Sequence, residues 1–255
     1  MQSELETALE PLTGRAGGTE FAGRTDRGVH AIGQVVSVSA APSTLTEARM
    51  QRAVNARLPA DLSVVGVRRR PVGFHARFDA RWREYRFRIW CGTPQPLVSH
   101  LVWQRARRLD LPAMDTAATA LLGQHDFATF AGGGEGVPWS SRRSSERGTT
   151  RTVLTCAVRT VSPWWGVASV GEGIGYELRV AADGFLPRMV RAIVGALVEV
   201  GRGARPAGWT NDLLAASDRR LGPPTAPAHG LVLWRVGYDD DEPEPDKIWP
   251  AVIGG

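Results

Sequence analysis

Residues Phe74 to Trp90 read FHARFDARWREYRFRIW. From Glu84 onward the side chains alternate with a period of two. Tyr85, Phe87 and Ile89 fall on one face of a strand, and Glu84, Arg86 and Arg88 on the other. The pattern predicts a half-buried strand with a basic outer face. The elements on either side of it mix helices with strands of mostly antiparallel character, which sets the class as α+β, in two related lobes.

Working upstream, residues 62–68 form an apolar run that reads as a strand, and Thr44 with Glu47 three residues on reads as a capping box for a helix through about Arg57, ended by Pro59. QVVSVSA, Gln34 to Ala40, is a β-branched strand. Ahead of it stands GRTDRGVHA, Gly23 to Ala31, a turn-like segment with one carboxylate, Asp26, among Arg24, Arg27 and His30. Leu5, Ala8, Leu9 and Leu12 recur at helical spacing across residues 2–13.

Downstream, Pro94 and Pro96 after Gly92 place a domain boundary near residues 94–110. The chain then divides into an N-terminal lobe, 1–104, a C-terminal lobe, 105–238, and a tail, 239–255. Pro112 to Gly123 reads as a helix followed by GQHDFATF, and residues 132–150 have the Gly/Ser/Arg composition of a mobile basic loop. Strands are expected at 152–161, 165–170 and 175–182, the last with Tyr176, Leu178 and Val180 on one side. Pro187 then opens the most apolar helix, which contains Arg191, and a short helix near 210–216 and the strand GLVLWRVGY complete the order.

The 255 residues are 43% hydrophobic and 22% charged, enough to bury a sizeable core. No apolar run of about 18 residues and no leader-like N-terminus is present, so the expectation is a soluble, cytoplasmic protein without membrane attachment. Cys91 and Cys156 lack metal-ligand spacing and read as buried free thiols; no zinc site or disulfide framework is expected. The formal charge is +5, but the tail holds six carboxylates against Lys247, a net of −5, which leaves +10 on residues 1–238. Such a body attracts polyanions, nucleic acid first.

Asp26 is flanked by Gly23 and Gly28, which permit a sharp turn or a close backbone approach to a ligand. Set between two arginines it is held ionised, a poor proton donor and a plausible nucleophile or base; the same residues also describe a surface turn aspartate paired with an arginine. Tyr85 reads either as a core strand residue or as a platform for stacking on a base. Arg191, in a helix so apolar, either meets a buried acid or snorkels to the helix edge. His125 and Asp126 are adjacent in sequence and read as a turn or helix-end pair rather than a catalytic one. Neither a Walker loop, a dinucleotide fingerprint, HExxH nor GxSxG occurs, which leaves a cofactor-free reaction as the residual reading.

Taken together, these residues resemble one family. GRTDRGVHA is similar to the catalytic-aspartate signature of the tRNA pseudouridine synthases of the TruA type. FHARFDARWREYRF resembles the segment bearing that family's tyrosine, and LLGQHDFATF, DGFLPRMVRAIVG and APAHGLVL resemble three further blocks in the same order, from Gln2 to about Tyr238. The resemblance implies a homodimer that isomerises uridine to pseudouridine in the anticodon stem-loop of tRNA, at positions 38–40, without a cofactor. It implies Asp26 as nucleophile, attacking C1′ or C6, Arg191 as its ion-pair partner, and Tyr85 stacking on the base. Arg24 would contact the flipped nucleotide; Arg27, His30, Arg142 and Arg143 would contact RNA.

Two departures stand out. The strand and DGxxFxGWQ-like loop that open the family pattern have no counterpart ahead of Leu5, so the native protein is expected to begin upstream by on the order of 30 residues. The Gly/Ser/Arg segment near 132–150 is longer than the pattern. Two other readings remain: a truncated, catalytically silent RNA-binding paralogue, and an aspartyl-nucleophile hydrolase, which finds no supporting acid/base pair near Asp26.

Overall fold

The computed structural model describes residues 1–13, 18–38, 45–132, 148–163 and 173–238. In chain order the elements are α1 (Gln2–Thr13), β1 (Thr19–Phe21), β2 (His30–Ala31), β3 (Val36–Val38), α2 (Glu47–Asn55), β4 (Ala80–Gly92), β5 (Trp103–Arg105), α3 (Leu111–Thr119), β6 (Gly123–Asp126), β7 (Thr150–Val161), β8 (Gly173–Ala182), α4 (Met189–Gly201), α5 (Trp209–Ala216) and β9 (Leu231–Tyr238). They form two compact units. The first is Met1–Arg24 with Gln34–Ala80; the second is Thr25–Gly33 with everything from Arg81 onward. The class is α+β.

In the first unit the apolar stripe of α1 meets that of α2: Leu5, Ala8 and Leu9 pack with Met50 and Val54, and Phe21, Val36, Leu62, Val64 and Val67 close around them. β1 and β3 form an antiparallel pair, Thr19 opposite Val38. The cap of α2 differs from the expected one. Thr46, not Thr44, is the N-cap, its hydroxyl accepting from the Arg49 N–H, while the Glu47 carboxylate accepts from the backbone N–H of Arg69. Thr44 lies outside the described residues.

Residues 62–68 do not form the expected strand. Their apolar side chains pack on the α1/α2 core, but the backbone finds its partner in a side chain. The Asn55 amide donates to the Val64 carbonyl and accepts from the Val64 N–H, at 2.9 and 2.7 Å, as a neighbouring strand otherwise does.

The second unit is built on one sheet of order β2-β9-β4-β8-β7-β6, with β5 parallel to the far end of β4. β4, β8 and β7 pair antiparallel, placing Tyr85, Val180 and Cys156 in one row and Phe87, Leu178 and Val158 in the next. This apolar face is buried, as the alternation predicts. The opposite face is not the solvated basic surface expected. Glu84, Arg86 and Arg88 are each under 9% exposed. Glu84 accepts from Arg86 at 2.8 Å and Arg179 at 2.9 Å; Glu177 accepts from Arg159 at 2.6 Å and Arg86 at 3.3 Å. The Arg86 guanidinium also lies 4.1 Å from the Trp234 ring centroid. Two acids on neighbouring strands therefore neutralise much of the basic row, and Trp234 covers it. Residues 94–110 run between β4 and α3 inside this unit; the compact units divide at Ala80 instead.

α3 is capped by Asp110, which accepts from the Ala113 N–H. Asp126 caps its own turn through the Ala128 N–H, and the His125 ring bonds the Leu122 carbonyl, consistent with their turn role. Both cysteines are buried free thiols. α4 begins at Met189 rather than Pro187, because Arg188 is left-handed (φ 60°) and the Pro187 carbonyl accepts from Gly132. Gly132 has no room for a side chain, since a Cβ there would sit 2.4 Å from the Cβ of Arg188. The expected strand at 165–170, most of the basic loop and the acidic tail lie outside the described residues.

Candidate active site

Asp26 opens a tight turn in which its carbonyl accepts from the Val29 N–H at 3.0 Å and Gly28 takes φ +85°. The chain after the turn is fastened to the C-terminal strand. His30 and Ala31, as β2, run parallel to Val232 and Leu233, and the N–H groups of Ile32 and Gly33 both donate to the Leu233 carbonyl. Gly33 lies so close to β9 that a Cβ there would sit 2.1 Å from the Trp234 carbonyl oxygen. Residues 25–33 thus belong by contact to the second unit, although the chain on both sides belongs to the first. The two N–H bonds and the close approach at Gly33 hold the turn, and with it Asp26, against the sheet.

Arg191 approaches from the first turn of α4. Its Nε donates to the Ala226 carbonyl at 2.7 Å and its Nη1 to Asp26 Oδ2 at 2.8 Å. The Ala226 N–H donates back to the Arg191 carbonyl, and a side chain at Gly195, one turn on, would strike the Pro224 carbonyl. The segment before β9 is therefore locked to α4. The guanidinium works as a rigid fork, one arm on the scaffold and one on the acid. The arginine side chain is 18% exposed and the aspartate 39%, so the cation is held inside and the carboxylate opens to solvent.

Tyr85, 8% exposed, meets Phe185 edge to face at 5.2 Å. Burial pushes its hydroxyl up to about 12; Arg83 pulls the other way, and the negative charge of Asp26 adds to the rise. The phenol is thus neutral at physiological pH, within electrostatic reach of the acid. Asp26, Arg191 and Tyr85, separated by up to 165 positions along the chain, come together in one unit.

Of the remaining expected site residues, Arg24 and Arg27 are exposed, Arg24 at the end of a segment of the first unit. The His30 ring is engaged, its Nε2 2.8 Å from the His100 carbonyl oxygen. Arg142 and Arg143 lie outside the described residues. Reading residues singly missed Phe185, Ala226 and Gly33. The signal for Phe185 was an aromatic in the short Gly-containing link between an apolar strand and the most apolar helix; Ala226 contributes a backbone carbonyl, which no side-chain pattern reveals.

Comparison with known proteins identifies the family. The model of a family described as tRNA pseudouridine synthase matches residues 117–239. The tRNA pseudouridine synthase A of Nitratidesulfovibrio vulgaris is 41% identical over 251 residues, covering 93% of this chain and 89% of that protein. That of Thermus thermophilus is 39% identical, covering 96% and 89%, and that of Chloroflexus aurantiacus 41%, covering 93% and 80%.

Proposed function

Given that the chain belongs to the tRNA pseudouridine synthase A family and is an isomerase acting on tRNA, we propose that it converts uridines of the anticodon stem-loop to pseudouridine with Asp26 as the nucleophile. The observation that carries this reading is the Asp26–Arg191 pair: a solvent-accessible carboxylate held at 2.8 Å by a guanidinium that is itself anchored on Ala226.

In this reading the flipped uridine enters beside Asp26. Arg191 keeps one carboxylate oxygen occupied and the group ion-paired, which leaves the other to attack C1′ or C6 of the nucleotide. The glycosidic bond to N1 breaks, the uracil turns, C5 bonds to C1′, and the bond between Asp26 and the nucleotide breaks, which restores the carboxylate. The C5 proton is then lost and N1 carries a proton, so the product is an isomer and no redox partner is consumed. Tyr85 and Phe185 line the site as an aromatic corner against which the extruded base stacks. Arg24, Arg27 and the basic residues Arg142 and Arg143 contact the RNA, and His30 steadies β2 through His100. We assign the working form as a cytoplasmic homodimer on the family resemblance; light scattering of the purified chain tests the stoichiometry.

The decisive experiment is Asp26→Ala, assayed for pseudouridine in an unmodified tRNA transcript by mass spectrometry, with tRNA affinity measured in parallel. Product formation is expected to vanish while tRNA is still bound. Product formed at the unsubstituted protein's rate would remove Asp26 from its role.

A further inference from the structure

The mechanism uses nothing from the segment joining α2 to β4. Residues 45–80 carry seven arginines against Glu47, Asp61 and Asp79, a net of +4. Three of the seven, Arg68, Arg69 and Arg70, are consecutive. Up to Val67 this connection packs on the core of the first unit. From Arg68 to Gly73 every residue is exposed, and Val72 stands fully in solvent. A turn closed by the Phe74 N–H on the Pro71 carbonyl, with Gly73 at φ +93°, then brings the chain back.

This projecting stretch is held in shape. The Arg69 N–H donates to Glu47 at 2.7 Å and its guanidinium to the Leu45 carbonyl at 2.8 Å. On the return, the His75 N–H donates to Asp79, the Arg77 and Phe78 N–H groups donate to His75 Nδ1, and the Ala76 N–H donates to the Ser37 hydroxyl. His75 Nε2 lies 3.7 Å from Glu20. Glu47 and Asp79 are thus bonded to backbone N–H groups. Guanidinium groups meanwhile lie on aromatic rings: Arg70 is 5.1 Å from the Phe74 centroid and Arg77 is 5.6 Å from that of Phe78, and the His75 ring meets Phe78 at 4.2 Å, tilted by 45°. Phe78 is itself 46% exposed.

We propose that Arg68, Arg70 and Arg77, with Phe74 and Phe78, form a further RNA-binding ridge, carried by the first unit, that grips the sugar-phosphate backbone of the tRNA. A guanidinium resting on a ring keeps its edge for bidentate contact with phosphate oxygens. Interleaved arginines with a half-buried and an exposed aromatic suit a backbone with neighbouring bases better than an acidic protein surface, which offers no π faces. The inference rests on tRNA as the substrate, and binding reads it without any turnover.

The test uses the full chain and an unmodified tRNA transcript, with affinity followed by fluorescence anisotropy at several NaCl concentrations. In the triple variant Arg68→Gln, Arg70→Gln, Arg77→Gln, affinity is expected to fall on the order of tenfold, and the slope of log affinity against log salt to flatten by about 2–3, close to one per lost phosphate contact. The corresponding triple lysine variant keeps most of the slope. An unchanged slope and affinity in the glutamine variant overturn the proposal. Should that variant misfold by circular dichroism, Arg68→Gln alone decides, with an expected flattening of about 1 against none. A chain that shows the ridge-dependent slope but makes no pseudouridine refutes the proposed reaction and leaves the ridge standing.

Discussion

The fork made by Arg191 can be tested against simple charge. Lysine at 191 keeps the positive charge but has one nitrogen on a flexible stem, so it cannot hold both the Ala226 carbonyl at 2.7 Å and Asp26 at 2.8 Å. Two unit charges about 4 Å apart attract by about 4 kcal/mol at an effective dielectric near 20. The Asp26 side chain is 39% exposed, however, and solvent screening brings the pair down to about 1–2 kcal/mol. The bond to Ala226 adds about 1 kcal/mol. Arg191→Gln, which loses both, is therefore expected to cost about 2–3 kcal/mol, and Arg191→Lys, which keeps one, about 1 kcal/mol. At about 2–4 °C per kcal/mol, the lysine variant melts only about 2–4 °C lower. Its single-turnover rate of pseudouridine formation should nevertheless drop about 100-fold, because a carboxylate displaced by about 1 Å no longer meets the reacting carbon. A lysine variant with the expected melting point and the unsubstituted rate would show that charge alone suffices and that the fork does not position Asp26.

Three further outcomes follow from the packing. Gly33→Ala drives a Cβ into the Trp234 carbonyl and should cost about 1–3 kcal/mol, with activity falling further than stability because the strap carrying Asp26 lifts from β9; thermal melting beside single-turnover rates checks this. Glu177→Gln takes the buried acid away from Arg86 and Arg88 of β4 and should cost about 3–5 kcal/mol in urea unfolding. Burial holds the Cys156 thiol up to about 12 against 9.0 for a free thiol, so the unfolded chain loses that proton first and stability declines as pH rises through about 9 towards 12. Between pH 8 and pH 10 Cys156→Ala should lose about 1 kcal/mol less than the unsubstituted protein, whatever its offset at pH 8.

The first helix was legible because Leu5, Ala8, Leu9 and Leu12 mark one face at helical spacing, and β4 because the residues from Glu84 to Ile89 alternate between charged and apolar. What failed did so for identifiable reasons. Residues 62–68 have the apolar run of a strand, but the backbone partner of Val64 is the Asn55 side chain, and no local pattern distinguishes that from a ladder. The α2 cap moved from Thr44 to Thr46 because Glu47 is drawn to Arg69, 22 residues away.

The sequence by itself determined the family, the α+β class and which residues stand beside Asp26 in the chain, since motif blocks and side-chain periodicity are local properties. Only the tertiary structure decided where the charges of β4 go, because Arg86 meets Glu177, and Glu84 meets Arg179, only when β4 and β8 pair in register. It also decided which scaffold carries Asp26. The strap lies between two stretches of the first unit in the chain, yet its bonds run to β9 and to Arg191, more than 150 positions away. Long-range hydrogen bonds and a close backbone approach have no local signature.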